Sequence, residues 1–180
     1  MILFAAIAIP APIARDLARV QRGVAGARWR SAEQLHLTLG YFGEVDDDRA
    51  EMLDAQLAGQ TFTGFEVTLA GANHFGRDPV HALWTGVKDG APELDALHKH
   101  CRRAARTAGI IMESRKYMPH VTLAYMKPDA PHARIIAFEQ NMAGFKAGPF
   151  WVDEFFLYSS HRKTKGSNLY RIEASYPLLG

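Results

Sequence analysis

The chain has 180 residues, 48% apolar and 22% charged, with a formal charge of +2; this fits a globular protein with one sizeable core or two small lobes sharing one. A charge so slight does not argue a polyanionic partner by itself, and no apolar run reaches membrane-spanning length. The single cysteine, Cys101, excludes an intramolecular disulfide framework and fits a reducing, cytoplasmic setting. It is expected to be a helix cysteine without chemistry, although His98, His100, Arg102 and Arg103 are neighbours able to lower its pKa.

Met1 to Ile9 alternates Ala and Ile and is closed by Pro10 and Pro12, as a buried strand would be. Pro12 to Arg22 places Ile13, Leu17 and Val20 at helical spacing before Gly23. Trp29 and Arg30 lead into a strand that runs to about Phe42. Asp46, Asp47 and Asp48 make a favourable N-terminal turn for a helix Arg49 to Leu57, with Met52, Leu53 and Leu57 on one face. Phe62 to Phe75 and Val80 to Val87 form an expected hairpin across Gly76-Arg77-Asp78-Pro79. The clearest helix is Ala91 to Ala108, where Leu94, Leu97, Cys101, Ala104 and Ala108 track one face and Gly109 ends it. A strand from Met118 to Met126, a helix from Pro131 to Asn141 and strands Phe150 to Ser159 and Leu169 to Tyr176 follow, the last two joined by the polar loop 161–168. Such mixing, without regular strand–helix alternation, predicts an α+β fold built on antiparallel sheets.

Two stretches stand out: Leu35-His36-Leu37-Thr38-Leu39 and Pro119-His120-Val121-Thr122-Leu123. Strand side chains alternate faces, so each presents a His/Thr pair on one side and apolar residues on the other. The match continues through Tyr41 and Tyr125, and each copy is followed by an acidic turn and a helix. This repeat predicts two lobes related by an approximate two-fold axis, with the His/Thr faces turned toward a shared groove. Tyr41 and Tyr125 each follow the Thr by three; unless a bulge intervenes, alternation turns both into the core.

Two imidazoles flanking one site can serve as base and acid in a single displacement, while threonine hydroxyls donate to charged oxygens between them. In-line displacement at phosphorus is the chemistry best served. No metal is required and none is expected. His98 and His100 point to different helix faces, and HExxH or paired-cysteine spacings are absent, as are a P-loop and a dinucleotide fingerprint. His74, His81, His132 and His161 are expected to be surface residues.

The two His-x-Thr-x motifs resemble the signature pair of the 2H phosphoesterase superfamily. Leu35 to Val45 resembles the first motif with its exit turn, Arg115 to Ala124 the second, and Val152 to Ser160 with Tyr170 the terminal strands of the RNA 2′,3′-cyclic phosphodiesterase branch, once called 2′-5′ RNA ligases. The resemblance spans nearly the whole chain, read as one domain of two lobes over residues 1–180. It implies a bilobal fold with a groove between lobes and metal- and cofactor-free hydrolysis of an RNA 2′,3′-cyclic phosphate to a 2′-phosphomonoester. It further implies His36 as proton donor to the leaving oxygen, His120 as the base that activates water, and Thr38 and Thr122 as phosphate ligands. Relatives often carry Arg where this chain has Tyr125, so the cation is expected from Arg115, Lys116, Lys127 or the 162–165 loop, with Arg115 the chosen candidate. The expected partners are RNA ends or small cyclic nucleotides, with no membrane, and the chain is expected to be a monomer. The competing expectations are a non-catalytic RNA- or nucleotide-binding module using the same groove, and an enzyme that ligates or cleaves 2′-5′ linkages.

Overall fold

A computed structural model describes all residues, Met1–Gly180. In chain order the elements are β1 (Ile2–Ala8), α1 (Ala11–Val20), β2 (Ala27–Trp29), a 3-10 turn (Ala32–Gln34), β3 (His36–Glu44), α2 (Asp47–Ala58), β4 (Phe65–Gly76), β5 (Val80–Asp89), α3 (Ala91–Thr107), β6 (His120–Met126), α4 (His132–Asn141), β7 (Lys146–Val152), β8 (Glu154–His161) and β9 (Leu169–Pro177). The class is α+β and every named strand pairing is antiparallel, as alternation without a βαβ rhythm predicts. No helix is long and apolar enough to cross a membrane.

Local signals account for the helices. Asp46 caps α2, its carboxylate accepting from the Arg49 amide at 3.0 Å, and Asp47 and Asp48 sit at the positive end of the helix dipole. Leu53 and Leu57 of that helix are fully buried in the core, with Ala50 packed against its edge. Met52, expected beside them, is 48% exposed because adjacent helical residues point about 100° apart. In α3, Leu94, Leu97, Cys101, Ala104 and Ala105 form the buried stripe, and the helix packs on β3 and α2. Gly40 is what lets it approach: a Cβ there would lie 3.1 Å from both Cys101 Cβ and Met112 Cε.

The expected pair of sheets is instead one nine-stranded sheet, ordered β7-β4-β5-β6-β3-β1-β8-β9, with β2 alongside β6. The two halves join at a single bridge, Leu37 opposite Val121. Beyond it β3 and β6 diverge, and β2 takes up the freed edge of β6, pairing Ala27–Trp29 with Met126–Ala124. One expected strand, Phe150 to Ser159, is in fact two. The chain breaks at Asp153, so that β7 pairs with β4 in one half while β8 pairs with β1 in the other.

A candidate active site where two strands diverge

The two motifs enter the sheet alike. Burial along His36–Phe42 and along His120–Met126 follows the same order: partial, buried, partial, buried, buried, exposed, buried. Leu37, Leu39, Val121 and Leu123 are fully buried, so each His/Thr pair lies on the opposite, accessible face. Because Leu37 opposes Val121 in an antiparallel ladder, the register sets His36 across from Thr122 and Thr38 across from His120. The neighbouring ladders repeat the correspondence. Thr38 pairs with Ala6 and Gly40 with Ala5, skipping Leu39; Thr122 pairs with Trp84 and Ala124 with Leu83, skipping Leu123.

These matched bulges correct the expectation for Tyr41 and Tyr125. Each extra residue shifts the alternation by one, so Leu39 and Gly40, like Leu123 and Ala124, both face the core. The two tyrosines then emerge on the His/Thr side, 56% and 43% exposed.

Both imidazoles are oriented by backbone two residues upstream. His36 Nδ1 lies 2.7 Å from the Gln34 carbonyl oxygen and His120 Nδ1 lies 2.6 Å from that of Met118. A carbonyl only accepts, so each neutral ring carries its hydrogen on Nδ1 and leaves the Nε2 lone pair free to take a proton. Aromatic rings pack around both. Phe4 and Tyr170 lie at 5.1 and 5.5 Å from His36, between ring centres, and Phe75 and Trp84 at 4.9 and 5.5 Å from His120. Burial pushes the His36 pKa down to about 4, with smaller contributions from the charges of Arg30 and His120. His120 is lowered as well, again chiefly by burial.

Behind motif one the bulge is braced from the core side. The Tyr117 hydroxyl donates to the Thr38 carbonyl at 2.9 Å, and His98 Nδ1 lies 2.7 Å from the Leu39 carbonyl oxygen. The two bracing rings stack at 4.2 Å and 3°.

Other candidates take different places. Arg115 is turned to solvent, its side chain 80% exposed, and is ion-paired with Glu113; the structure does not bring it to the histidines. A short-range acidic neighbour satisfies it locally. Cys101 is fully buried and its thiol is pushed up to about 12, so burial overrides the cations nearby. His74 and His161 are half-buried rather than surface residues, bonded to Glu139 and Ser159 respectively.

One cation was not anticipated. Arg30, 9% exposed, follows β2 at the fork where β3 leaves β6, its amide donating to the Leu123 carbonyl at 2.8 Å. Its guanidinium donates to the Tyr170 hydroxyl at 2.9 Å and lies 5.0 Å from the centre of the Tyr125 ring. Nothing local in the sequence announces this, because the Arg30–Tyr170 contact spans 140 residues.

Comparison with known proteins identifies a family and a fold. The model of the 2′-5′ RNA ligase superfamily matches residues 9–164. An RNA 2′,3′-cyclic phosphodiesterase of Aeropyrum pernix is 29% identical over 147 residues, covering 79% of this chain and 84% of the relative. One of Thermotoga maritima is 32% identical over 142 residues, covering 75% and 71%. The crystal structure of E. coli LigT complexed with 3′-AMP superposes with a TM-score of 0.80 at 25% identity, covering 98% of this chain and 97% of that one.

Proposed function

The chain belongs to the 2′-5′ RNA ligase superfamily, and from that premise we propose that it is a phosphodiesterase hydrolysing RNA 2′,3′-cyclic phosphate ends to 2′-phosphomonoesters. The observation that carries this is the shared posture of His36 and His120: each Nδ1 is tied to a carbonyl, and each Nε2 is free on the same face of the sheet. The names of the A. pernix and T. maritima relatives support the reaction, and the 3′-AMP held by LigT supports a nucleotide ligand.

In this reading a water between the rings loses a proton to His120 Nε2 as its oxygen bonds to phosphorus. The bond from phosphorus to O3′ breaks in line, and His36 delivers a proton from Nε2 to that oxygen. The phosphate stays on O2′. Thr38 and Thr122, one on each strand, donate hydroxyl hydrogens to the non-bridging oxygens as negative charge builds. The two rings are held alike, so their division into donor and base follows the family resemblance. Burial biases both toward the neutral form; an anionic phosphate between them favours protonation and restores the acid. No step calls for a metal.

The test is an oligoribonucleotide ending in a 2′,3′-cyclic phosphate, incubated with the protein in EDTA and followed by phosphorus NMR. A 2′-phosphomonoester is the expected product. Bound but unchanged substrate would assign the chain to nucleotide binding, and a 2′-5′-joined product would assign it to ligation.

A further inference from the structure

Arg30 is a buried guanidinium without a counter-ion. No carboxylate forms an ion pair with it, and its only side-chain hydrogen bond is to Tyr170, a neutral partner. Removing such a charge from water is costly unless an opposite charge and hydrogen-bond acceptors replace the solvent. A guanidinium has five N–H donors. Its Nε and Nη1 have no protein acceptor, yet neither is sealed away from solvent without one. The side chain is also held in place: Tyr125 covers it, Tyr170 accepts from Nη2, and its backbone is pinned to Leu123. Gln21 reinforces that anchor, its amide donating to the carbonyls of Arg30 and Leu123 at 2.9 and 3.0 Å.

Tyr170 extends the same array toward the catalytic candidates. Its hydroxyl oxygen accepts from Arg30, leaving its own hydrogen without a protein acceptor, and its ring stands edge-on to His36. Burial holds the phenol pKa up, so the hydroxyl remains a donor. The result is a fork of cationic and neutral donors beside one histidine, in the gap opened by the diverging strands.

We infer that Arg30, positioned by Tyr170 and Tyr125, is the anion anchor of this site and binds a non-bridging oxygen of the substrate phosphate next to His36. The position on β6 that carries Tyr125 supplies no charge; the cation comes instead from Arg30, just past the end of β2, and lies over the Tyr125 ring. The inference rests on the phosphodiesterase reading for the identity of the substrate, but anion binding by Arg30 is testable without turnover.

Two probes separate these questions: inorganic phosphate by calorimetry, and adenosine 2′,3′-cyclic phosphate by steady-state kinetics. Arg30→Ala is expected to weaken phosphate binding and lower kcat/KM by about 10- to 100-fold, the range of a charge-assisted hydrogen bond. Arg30→Lys is expected to restore little, since an ammonium lacks the fork that serves Tyr170 and phosphate together. The double variant Arg30→Ala/Tyr125→Arg is expected to recover most of the loss by supplying the guanidinium from β6. In Arg30→Gln the acid limb of the pH–rate profile is expected to move to higher pH, because the charge that disfavours protonated His36 is gone. That shift reports only that the Arg30 charge reaches His36; a purely structural role would not produce the rescue by Tyr125→Arg.

Wild-type phosphate affinity in folded Arg30→Ala would overturn the inference, even with the wild-type protein fully active. Conversely, Arg30-dependent phosphate binding without turnover would uphold it while removing the phosphodiesterase reading. Should Arg30→Ala unfold, Tyr170→Phe removes only the hydroxyl that aims the guanidinium. Phosphate affinity is then expected to fall about 3- to 10-fold, the loss of one modest hydrogen bond, and an unchanged affinity would overturn the assignment.

Discussion

Leu37 and Val121 face each other across the only bridge between the two halves of the sheet, and each is flanked by the His and Thr of its own motif. The contact is therefore both the hinge of the core and the ruler of the site. Truncating Leu37 to Ala is expected to cost about 2–5 kcal/mol by leaving a cavity in a fully buried position. Urea unfolding followed by circular dichroism reads that cost, and a change below 0.5 kcal/mol, the range of ordinary surface substitutions, would show the bridge to be dispensable.

Thr38 and Thr122 are the substitutions that separate grip from fold. Both side chains are half-buried on the accessible face, and neither hydroxyl has a hydrogen-bond partner within the protein. Replacing either with Val keeps the β-branched shape that suits a strand and removes only the donor. Thermal stability is expected to hold, while kcat/KM falls about tenfold to a hundredfold for each. Unchanged kinetics in both variants would remove the threonines from the phosphate site.

The histidines give the protein a pH signature. His36 has its pKa lowered from 6.5 to about 4 in the folded chain. Between those values the unfolded chain holds more protons, so stability rises with pH through that window and is lost as pH falls through it. Chemical denaturation from pH 4 to 7 should show that slope, and His36→Gln should reduce it. The same depression, with a smaller one at His120, places the kcat/KM bell of the free enzyme on the acid side of pH 6.5. A bell centred above 7 would contradict it.

Tyr117 tests the brace behind the first bulge. Tyr117→Phe removes the bond to the Thr38 carbonyl but keeps the stack on His98. It is expected to cost about 0.5–1.5 kcal/mol of stability, with a fall in kcat/KM larger than in Tyr41→Phe, whose exposed hydroxyl braces nothing. Equal kinetics in the two variants would show that the bulge holds its shape unaided.

Much of this architecture was legible in the chain. The His-x-Thr repeats, their strand placement, the Asp46 cap and the α3 stripe all follow from spacing over a few residues, where local periodicity and burial agree. What escaped depends on events that periodicity does not record. The bulges at Leu39 and Leu123 reverse the facing of Tyr41 and Tyr125, and a strict two-residue alternation sends both the wrong way. The break at Asp153 falls where Asp153-Glu154 interrupt an otherwise apolar run, a signal too short to mark a strand end until the different partners on either side separate β7 from β8. The join at Leu37 and Val121 turns two anticipated sheets into one. Arg30 was invisible for another reason: its role is set by Tyr125 and Tyr170, brought to it by the fold, whereas Arg115 drew notice through proximity in sequence and is neutralised by Glu113.

The proposed reaction requires His36 and His120 to act together on one phosphate. The most direct measurement is turnover of a 2′,3′-cyclic phosphate-ended oligoribonucleotide by His36→Ala and His120→Ala, each checked for folding. Both are expected to lose about 10²-fold or more in kcat, since each removes one of two proton carriers, and the double variant should be little worse than either alone. Wild-type turnover in either folded single variant would rule out the two-histidine mechanism.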